Sequence, residues 1–301
     1  MRSRVVSEAP AKVNWTLEVL GKREGGYHEV RTVLQTVARS DLVSLAPADE
    51  LSLALSGEVG SLAGDPAEAN LAYRAAVALR ERSGVSAGAE IRLSKRIPVA
   101  AGLGGGSSNA AATLRGLRDL WGLSISDEVL ASIAAELGSD VPFFLRGGSA
   151  LASGRGDVLA PLPDGPPQRL VLAWPERAGP ADKTARMYAA LRPEHYSDGS
   201  RTERLADRLR AEEPVRDEDI YNVFEQVLPE VDPNTAETFQ RAADLGLGQP
   251  HLAGSGPAFF FLLAPEQPAE PLLRLLQGDG RLGLRATETA TLPAAASREE
   301  R

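Results

Sequence analysis

The sequence contains no cysteine, which excludes disulfides, thiolate nucleophiles and Cys-ligated zinc or iron–sulfur centres. Lysine is scarce as well: of 33 basic residues only Lys12, Lys22, Lys95 and Lys183 are lysine. Arginine fills the generic basic positions, so each surviving lysine is a candidate for a role that needs a compact ammonium. Apolar runs stay below the roughly 18 residues of a membrane span, and Met1 to Asn14 lacks the hydrophobic stretch of an export signal. A cytoplasmic protein without a membrane partner is expected. The basic excess of a nucleic-acid binder is missing too. The net charge is −8, so an anionic substrate needs a local positive pocket rather than a basic surface. His195 and His251 stand without partners at metal-ligand spacing, and no solenoid-type repeat is found.

What remains is an ordinary globular composition, with 43% hydrophobic and 25% charged residues in 301, a length that suits two domains sharing a cleft. Strand-rich segments open the chain at Val13 to Leu20, Val30 to Val37 and Leu42 to Leu45, followed by the alternating Leu51, Leu53 and Leu55. Leu71, Ala75, Ala78 and Leu79 recur at helical spacing within Asn70 to Arg82, and Ile91 and Leu93 belong to the next strand. A helix is expected from Asp127 to Leu137, capped by Ser126 and ended by Gly138, which puts Asp140 just past it. Turn residues concentrate at Leu162 to Pro167 and mark a domain boundary. Beyond it lie a strand at Leu170 to Trp174, helices at Thr184 to Leu191 and Asn222 to Val227, and a strand at Phe259 to Leu263. The polar Arg201 to Glu213 segment reads as a solvated helical face. From Pro293 onward the chain looks frayed.

Strand, glycine loop and helix follow one another around Gly102, Gly104, Gly105 and Gly106. Consecutive glycines let main-chain N–H groups approach an anion, and the helix behind adds free N–H donors and a positive dipole end. The loop fits neither the Walker A nor the spaced Rossmann pattern. A turn that merely permits close helix–strand packing has the same glycines. Ser107, Ser108 and Asn109 favour phosphate and magnesium, because their oxygens can ligand the metal or hydrogen-bond a phosphate.

The run Pro98-Val99-Ala100-Ala101-Gly102-Leu103-Gly104-Gly105-Gly106-Ser107-Ser108-Asn109 resembles the ATP phosphate loop of the GHMP small-molecule kinases. Ala9-Pro10-Ala11-Lys12-Val13-Asn14, Gly26-Tyr27-His28-Glu29, Gly138-Ser139-Asp140-Val141-Pro142 and Gly254-Ser255-Gly256 follow the order of that family's branch acting on a cytidine diphosphate-linked methylerythritol. The resemblance implies an α+β protein with an N-terminal ATP-binding domain (1–164), a smaller C-terminal substrate domain (165–290) and a flexible tail (291–301), with the active site in the cleft. It implies phosphoryl transfer from ATP, with Mg2+, to the 2-hydroxyl of that small-molecule substrate, a step of non-mevalonate isoprenoid biosynthesis. No residue is assigned to the metal. Carried over residue by residue, Lys12 and Asp140 are catalytic, and Asn14, Tyr27, His28, Lys183, Thr184 and Tyr188 bind substrate. Asn222-Val223 departs from the Asn-Asp usual in the family, and Ala253 replaces its serine.

Bland readings stand beside these: a surface lysine at a strand start for Lys12, a loop carboxylate capping N–H groups for Asp140, a turn leading into a half-buried strand for Tyr27 and His28. At the level of activity the alternatives are another GHMP kinase, acting on mevalonate-type or sugar alcohols, and a nucleotide-binding regulator without turnover.

Overall fold

The computed structural model describes residues 3–23, 25–176, 182–278, 280 and 282–294. Its first half runs β1 (Val5–Lys22), β2 (His28–Ala48), β3 (Leu51–Gly57), α1 (Leu71–Ser83), β4 (Gly88–Lys95), α2 (Gly105–Trp121), α3 (Asp127–Leu137), α4 (Val141–Arg146), β5 (Ser149–Ser153) and β6 (Val158–Leu162). The second half runs β7 (Arg169–Pro175), α5 (Lys183–Ala190), α6 (Ser200–Arg210), β8 (Tyr221–Asn222), α7 (Phe224–Val231), α8 (Pro233–Ala243), β9 (Pro250–Leu252), β10 (Phe259–Leu262), α9 (Glu270–Gly278) and β11 (Leu284–Ala290).

Two sheets result. Seven strands form the first, in the order β3-β4-β2-β1-β8, with the β5–β6 hairpin paired to β2; four form the second, in the order β11-β7-β10-β9. The fold is the α+β arrangement expected from the GHMP resemblance. The extended segments read at Val30 to Val37 and Leu42 to Leu45 are one strand, β2, and its pairing with β1 shifts register between Pro10 and Ala11. Such a shift lets a strand bend without ending. Along β1, Ala11, Val13 and Trp15 are buried with Leu170 and Phe260 of the second sheet. Period-two alternation then turns Lys12 and Asn14 to the opposite face.

Trp15 meets Phe260 edge to face, with centroids 5.5 Å apart. A separate core lies under α1, α2 and α3, where Leu79, Leu114, Leu117 and Ile133 pack on Leu45 and Ile91. Ser126 accepts from Val129 N at the start of α3, the cap expected from the sequence, and Asn70 accepts from Ala72 N at the start of α1, a cap the pattern reading does not single out. The polar segment after residue 200 is helical, with Leu205, Ala206 and Leu209 buried beneath its charged face. Residues 295–301 of the expected tail lie outside the described residues, whereas Leu292 N donates to Thr36 O at 2.8 Å.

Candidate active site

The glycine loop links β4 to α2 and has left-handed backbone at Ala100, Gly102 and Gly104. At Gly104 the requirement for glycine is geometric. With φ +72°, a Cβ there would lie 2.7 Å from Phe144 Cζ and 3.1 Å from Lys12 Cγ. No side chain caps the helix start that follows, so the first amides of α2 remain available to an anion.

A buried polar cluster holds the loop from behind. The Asp41 carboxylate accepts from Arg96 N (2.6 Å) and Ile97 N (2.8 Å), where the loop begins, and from Asn109 Nδ2 (2.9 Å), where α2 has taken over. Lys95 Nζ pairs with the same carboxylate and donates to Asn109 Oδ1 at 2.7 Å. Asn109, predicted to bind ATP, therefore has both amide atoms engaged inside the protein. Ser108 is also buried, its Oγ without a partner. Asp41 carried no signal in the sequence; Lys95 carried one, its rarity among the basic residues.

In front of the loop, Lys12 N donates to Leu103 O at 3.0 Å, and Lys12 Nζ donates to Asn14 Oδ1 at 2.7 Å. Asn14 Nδ2 in turn donates to Thr32 Oγ1 at 2.6 Å. Lys12 is only 6% exposed. Burial pulls its pKa below the ordinary lysine value, and the negative charge of Asp140 works in the opposite direction. Asp140 sits between α3 and α4 and makes no side-chain capping bond at the α4 terminus, so the bland capping reading is not realised there. Lys12 and Asp140 line one cavity of about 380 Å³, together with Asn14, Ser107, Thr184 and Tyr188.

The second half of the chain closes this cavity. Asn222, without a role in the sequence reading, donates through Nδ2 to Leu252 O (3.0 Å) and Gly254 O (2.8 Å), fixing the last glycine turn. A Cβ at Gly254 would approach Gly102 O to 2.9 Å and Lys12 Nζ to 3.1 Å. Ala253 is fully buried and reaches the site through its carbonyl, which accepts from Asn14 N at 3.0 Å. Thr184 Oγ1 and Ser255 Oγ are 2.7 Å apart. Lys183 lies outside the cavity lining, buried and paired with Asp232 at 2.8 Å.

Tyr188 stacks on His28 with ring centroids 5.1 Å apart. Burial first, and Asp140 second, push its phenol pKa up to about 12. Tyr27 and His28 flank the cavity rather than line it. The Tyr27 ring is 55% exposed, and the Arg155 guanidinium lies 4.3 Å from its centroid.

Behind the same loop opens a second cavity of about 360 Å³, lined by residues 98 to 107 and by Leu62, Asn70 and Leu71. Gly102, Gly104 and Ser107 border both cavities, so the loop is the partition between them. Among the described residues no group of three or more His, Asp or Glu could hold a metal by itself. Magnesium bound with nucleotide phosphates needs only one or two protein oxygens. The Ser107 hydroxyl, in the lining of both cavities, fits that need.

Residues 70–148 match the family described as GHMP kinases N terminal domain. The chain is 38% identical over 264 residues to the 4-diphosphocytidyl-2-C-methyl-D-erythritol kinase of Dehalococcoides mccartyi, covering 88% of this chain and 91% of that protein. To the enzyme of the same name from Pelotomaculum thermopropionicum it is 40% identical over 269 residues, covering 88% and 91%. A crystal structure of 4-(cytidine 5'-diphospho)-2C-methyl-D-erythritol kinase matches with a TM-score of 0.78 at 35% identity, over 95% of this chain and 99% of that one. Homoserine kinase from Cytophaga hutchinsonii, 18% identical, shares the fold with a TM-score of 0.74 over 97% and 96% of the two chains. Identity of this degree over nearly the whole length places the chain in the 4-diphosphocytidyl-2-C-methyl-D-erythritol kinase family of the GHMP kinases.

Proposed function

We propose that the protein transfers the γ-phosphate of ATP to the 2-hydroxyl of 4-diphosphocytidyl-2-C-methyl-D-erythritol, in the cytoplasm, as a step of isoprenoid precursor biosynthesis. The observation that carries this reading is the shared partition: one glycine loop borders both a cavity of its own and the cavity holding Lys12 and Asp140. The half of the chain up to residue 164 holds ATP, and residues 165–290 close over the acceptor.

Phosphoryl transfer spreads negative charge over the oxygens of the moving group, so the site must supply positive charge and alignment. Amides at the start of α2 hold the phosphates, and Lys12 presents its ammonium to the transferring group. Asn14, bonded to Nζ of Lys12 and to Thr32, fixes where that ammonium points. Asp140 holds the acceptor hydroxyl and takes its proton as the oxygen attacks, which makes a covalent enzyme intermediate unnecessary. Mg2+ bound with ATP would neutralise phosphate charge, and Ser107, which borders both cavities, is the side chain that would hold it. Tyr188, with its phenol proton retained by burial and by Asp140, and His28 stacked on it form one aromatic wall for the base, with Tyr27 beside them.

Coupled ADP release, measured with the cytidyl substrate, mevalonate and homoserine in parallel, tests the reading. Turnover confined to the cytidyl substrate is expected. Preference for another alcohol would make this a different GHMP kinase, and ATP binding without turnover on any of them would make it a regulator.

A further inference from the structure

Lys183 is a buried lysine that lines neither cavity. It stands at the start of α5, 3% exposed, and burial lowers its pKa while Asp232 opposes the shift. Taking an ammonium out of water is costly unless its surroundings return the loss. In a chain whose basic positions are nearly all arginine, a point-like head group at such a place calls for a reason. The ammonium lies between Asp232 and Gly256. Nζ donates to Asp232 Oδ2 at 2.8 Å, and that carboxylate is itself fixed by Thr235, whose N and Oγ1 donate to it at 3.1 and 2.6 Å. On the other side, a Cβ at Gly256 would come within 3.2 Å of Nζ.

Gly256 in turn abuts the phosphate loop. A Cβ at Gly102 would lie 3.0 Å from Gly256 O, and Ala258 N donates to Ala101 O at 3.1 Å. The near end of the same turn reaches the reacting groups, through the Ala253 carbonyl on Asn14 N and through Gly254 beside Lys12 Nζ. From the helix side, Thr184 meets Ser255, and Arg186 donates to Val231 O at 3.0 Å, next to Asp232. One helical turn after Thr184, Tyr188 enters the acceptor cavity. Helix α5, the start of α8 and the last glycine turn therefore converge on one ammonium, and a shift of the turn is a shift of what backs Asn14 and Lys12.

We propose that Lys183 is a positioning residue for phosphoryl transfer: pinned by Asp232, its ammonium sets the Gly254–Gly256 turn against the phosphate loop and α5 against that turn, without touching either substrate. The proposal rests on the reaction given under Proposed function. It puts a turn-setting role in place of the substrate contact that the resemblance implies for Lys183.

Steady-state kinetics of coupled ADP release with the cytidyl substrate, beside thermal melts, test it on wild-type protein, Lys183→Met and the double variant Lys183→Met/Asp232→Asn. Misplacing a reacting group by about an ångström costs up to about 100-fold in rate, so kcat of Lys183→Met should fall by about 10- to 100-fold. KM for ATP should stay near the wild-type value, because neither α5 nor the last glycine turn lines the nucleotide cavity. The single variant strands the Asp232 charge and should melt lower. The double variant removes that charge and should melt within about 2 °C of wild type, yet its kcat should stay low. Recovery of kcat together with stability would leave Lys183 only half of an ion pair and overturn the proposal. A raised KM for the cytidyl substrate with kcat unchanged would make Lys183 a substrate ligand instead, and wild-type kinetics in Lys183→Met would likewise overturn it. Should Lys183→Met not fold, Lys183→Gln, which can still hydrogen-bond to Asp232 but falls short of Gly256, must show the same kcat loss. A wild-type protein that does not turn over the cytidyl substrate would overturn the proposal together with the reaction beneath it.

Discussion

Replacing Asp41 with alanine tests whether the phosphate loop is held from behind. The carboxylate receives two backbone amides at the loop's start, the amide of Asn109 and the Lys95 ammonium, and all but the part-buried Arg96 N–H bond lie out of water. Removing one partner of a buried ion pair costs about 3–5 kcal/mol, because the other charge is left uncompensated. Each orphaned amide adds on the order of 1–3 kcal/mol unless water enters to replace the lost oxygen. With water entering to serve the orphaned amides, a net loss of about 4 kcal/mol is expected from the stranded charge, which corresponds to a fall in melting temperature of roughly 10 °C for a chain of this size. Lys95→Met supplies the second arm. In the double variant the stranded charge is gone, so the two losses should overlap by about 1–3 kcal/mol instead of adding. Thermal melts give the stabilities, and titration with an ATP analogue reports the loop, whose affinity should fall in Asp41→Ala. A variant that melts within about 2 °C of wild type, or single-variant losses that simply add, would refute the reasoning.

The remaining expectations concern the reacting groups and the partition. Asp140→Asn keeps the size of the side chain and loses its base; turnover should drop by about 100-fold or more while ATP affinity stays, and unchanged turnover would remove Asp140 from the reaction. Because burial holds the Lys12 pKa below the ordinary lysine value and Asp140 opposes that shift, its charge is lost earlier as pH rises. The alkaline limb of ATP affinity should thus lie below that of a free lysine and move lower still in Asp140→Asn; a limb that stays put in that variant would break the link between the two groups. Gly104→Ala puts a methyl against Phe144 in left-handed backbone, and a loss of about 1–3 kcal/mol in stability is expected from urea unfolding, with wild-type stability as the contrary result.

Local pattern made the loop and its helices legible. Glycines in series, the cap at Ser126 and helical spacing in α1 to α3 are each written in residues close together along the chain. Asp41 is different. Its neighbourhood, Ala38-Arg39-Ser40-Asp41, reads as a break between two strands, yet the carboxylate is satisfied by amides 55 and 56 residues later and the strand continues through it. No periodicity carries that information. Arg155 sits between two short strands, Ser149–Ser153 and Val158–Leu162, whose serines, alanines and proline give little β signal, so its arrival beside Tyr27 depends on a pairing with β2 that only the folded chain displays. Asn222 was likewise silent, since it serves backbone carbonyls of a turn 30 and 32 residues away. Lys12 and Asp140 were legible through motif, not chemistry: each alone has an unremarkable reading, and a shared cavity in which Asp140 acts on the buried Lys12 charge is what distinguishes them.

β8, from the second half of the chain, adds itself to the first sheet beside β1, with Thr16 opposite Tyr221 and Leu17 opposite Asn222. A few residues along the same strands, Thr291 bridges to Val37, which itself pairs with Ala11 of β1. The two halves of the chain are thereby sewn together by main-chain bonds, and swinging one away from the other would tear ladder pairs rather than flex a linker. Substrates must then come and go through an opening the sheets leave unchanged, with loops and side chains doing whatever adjusting a turnover requires.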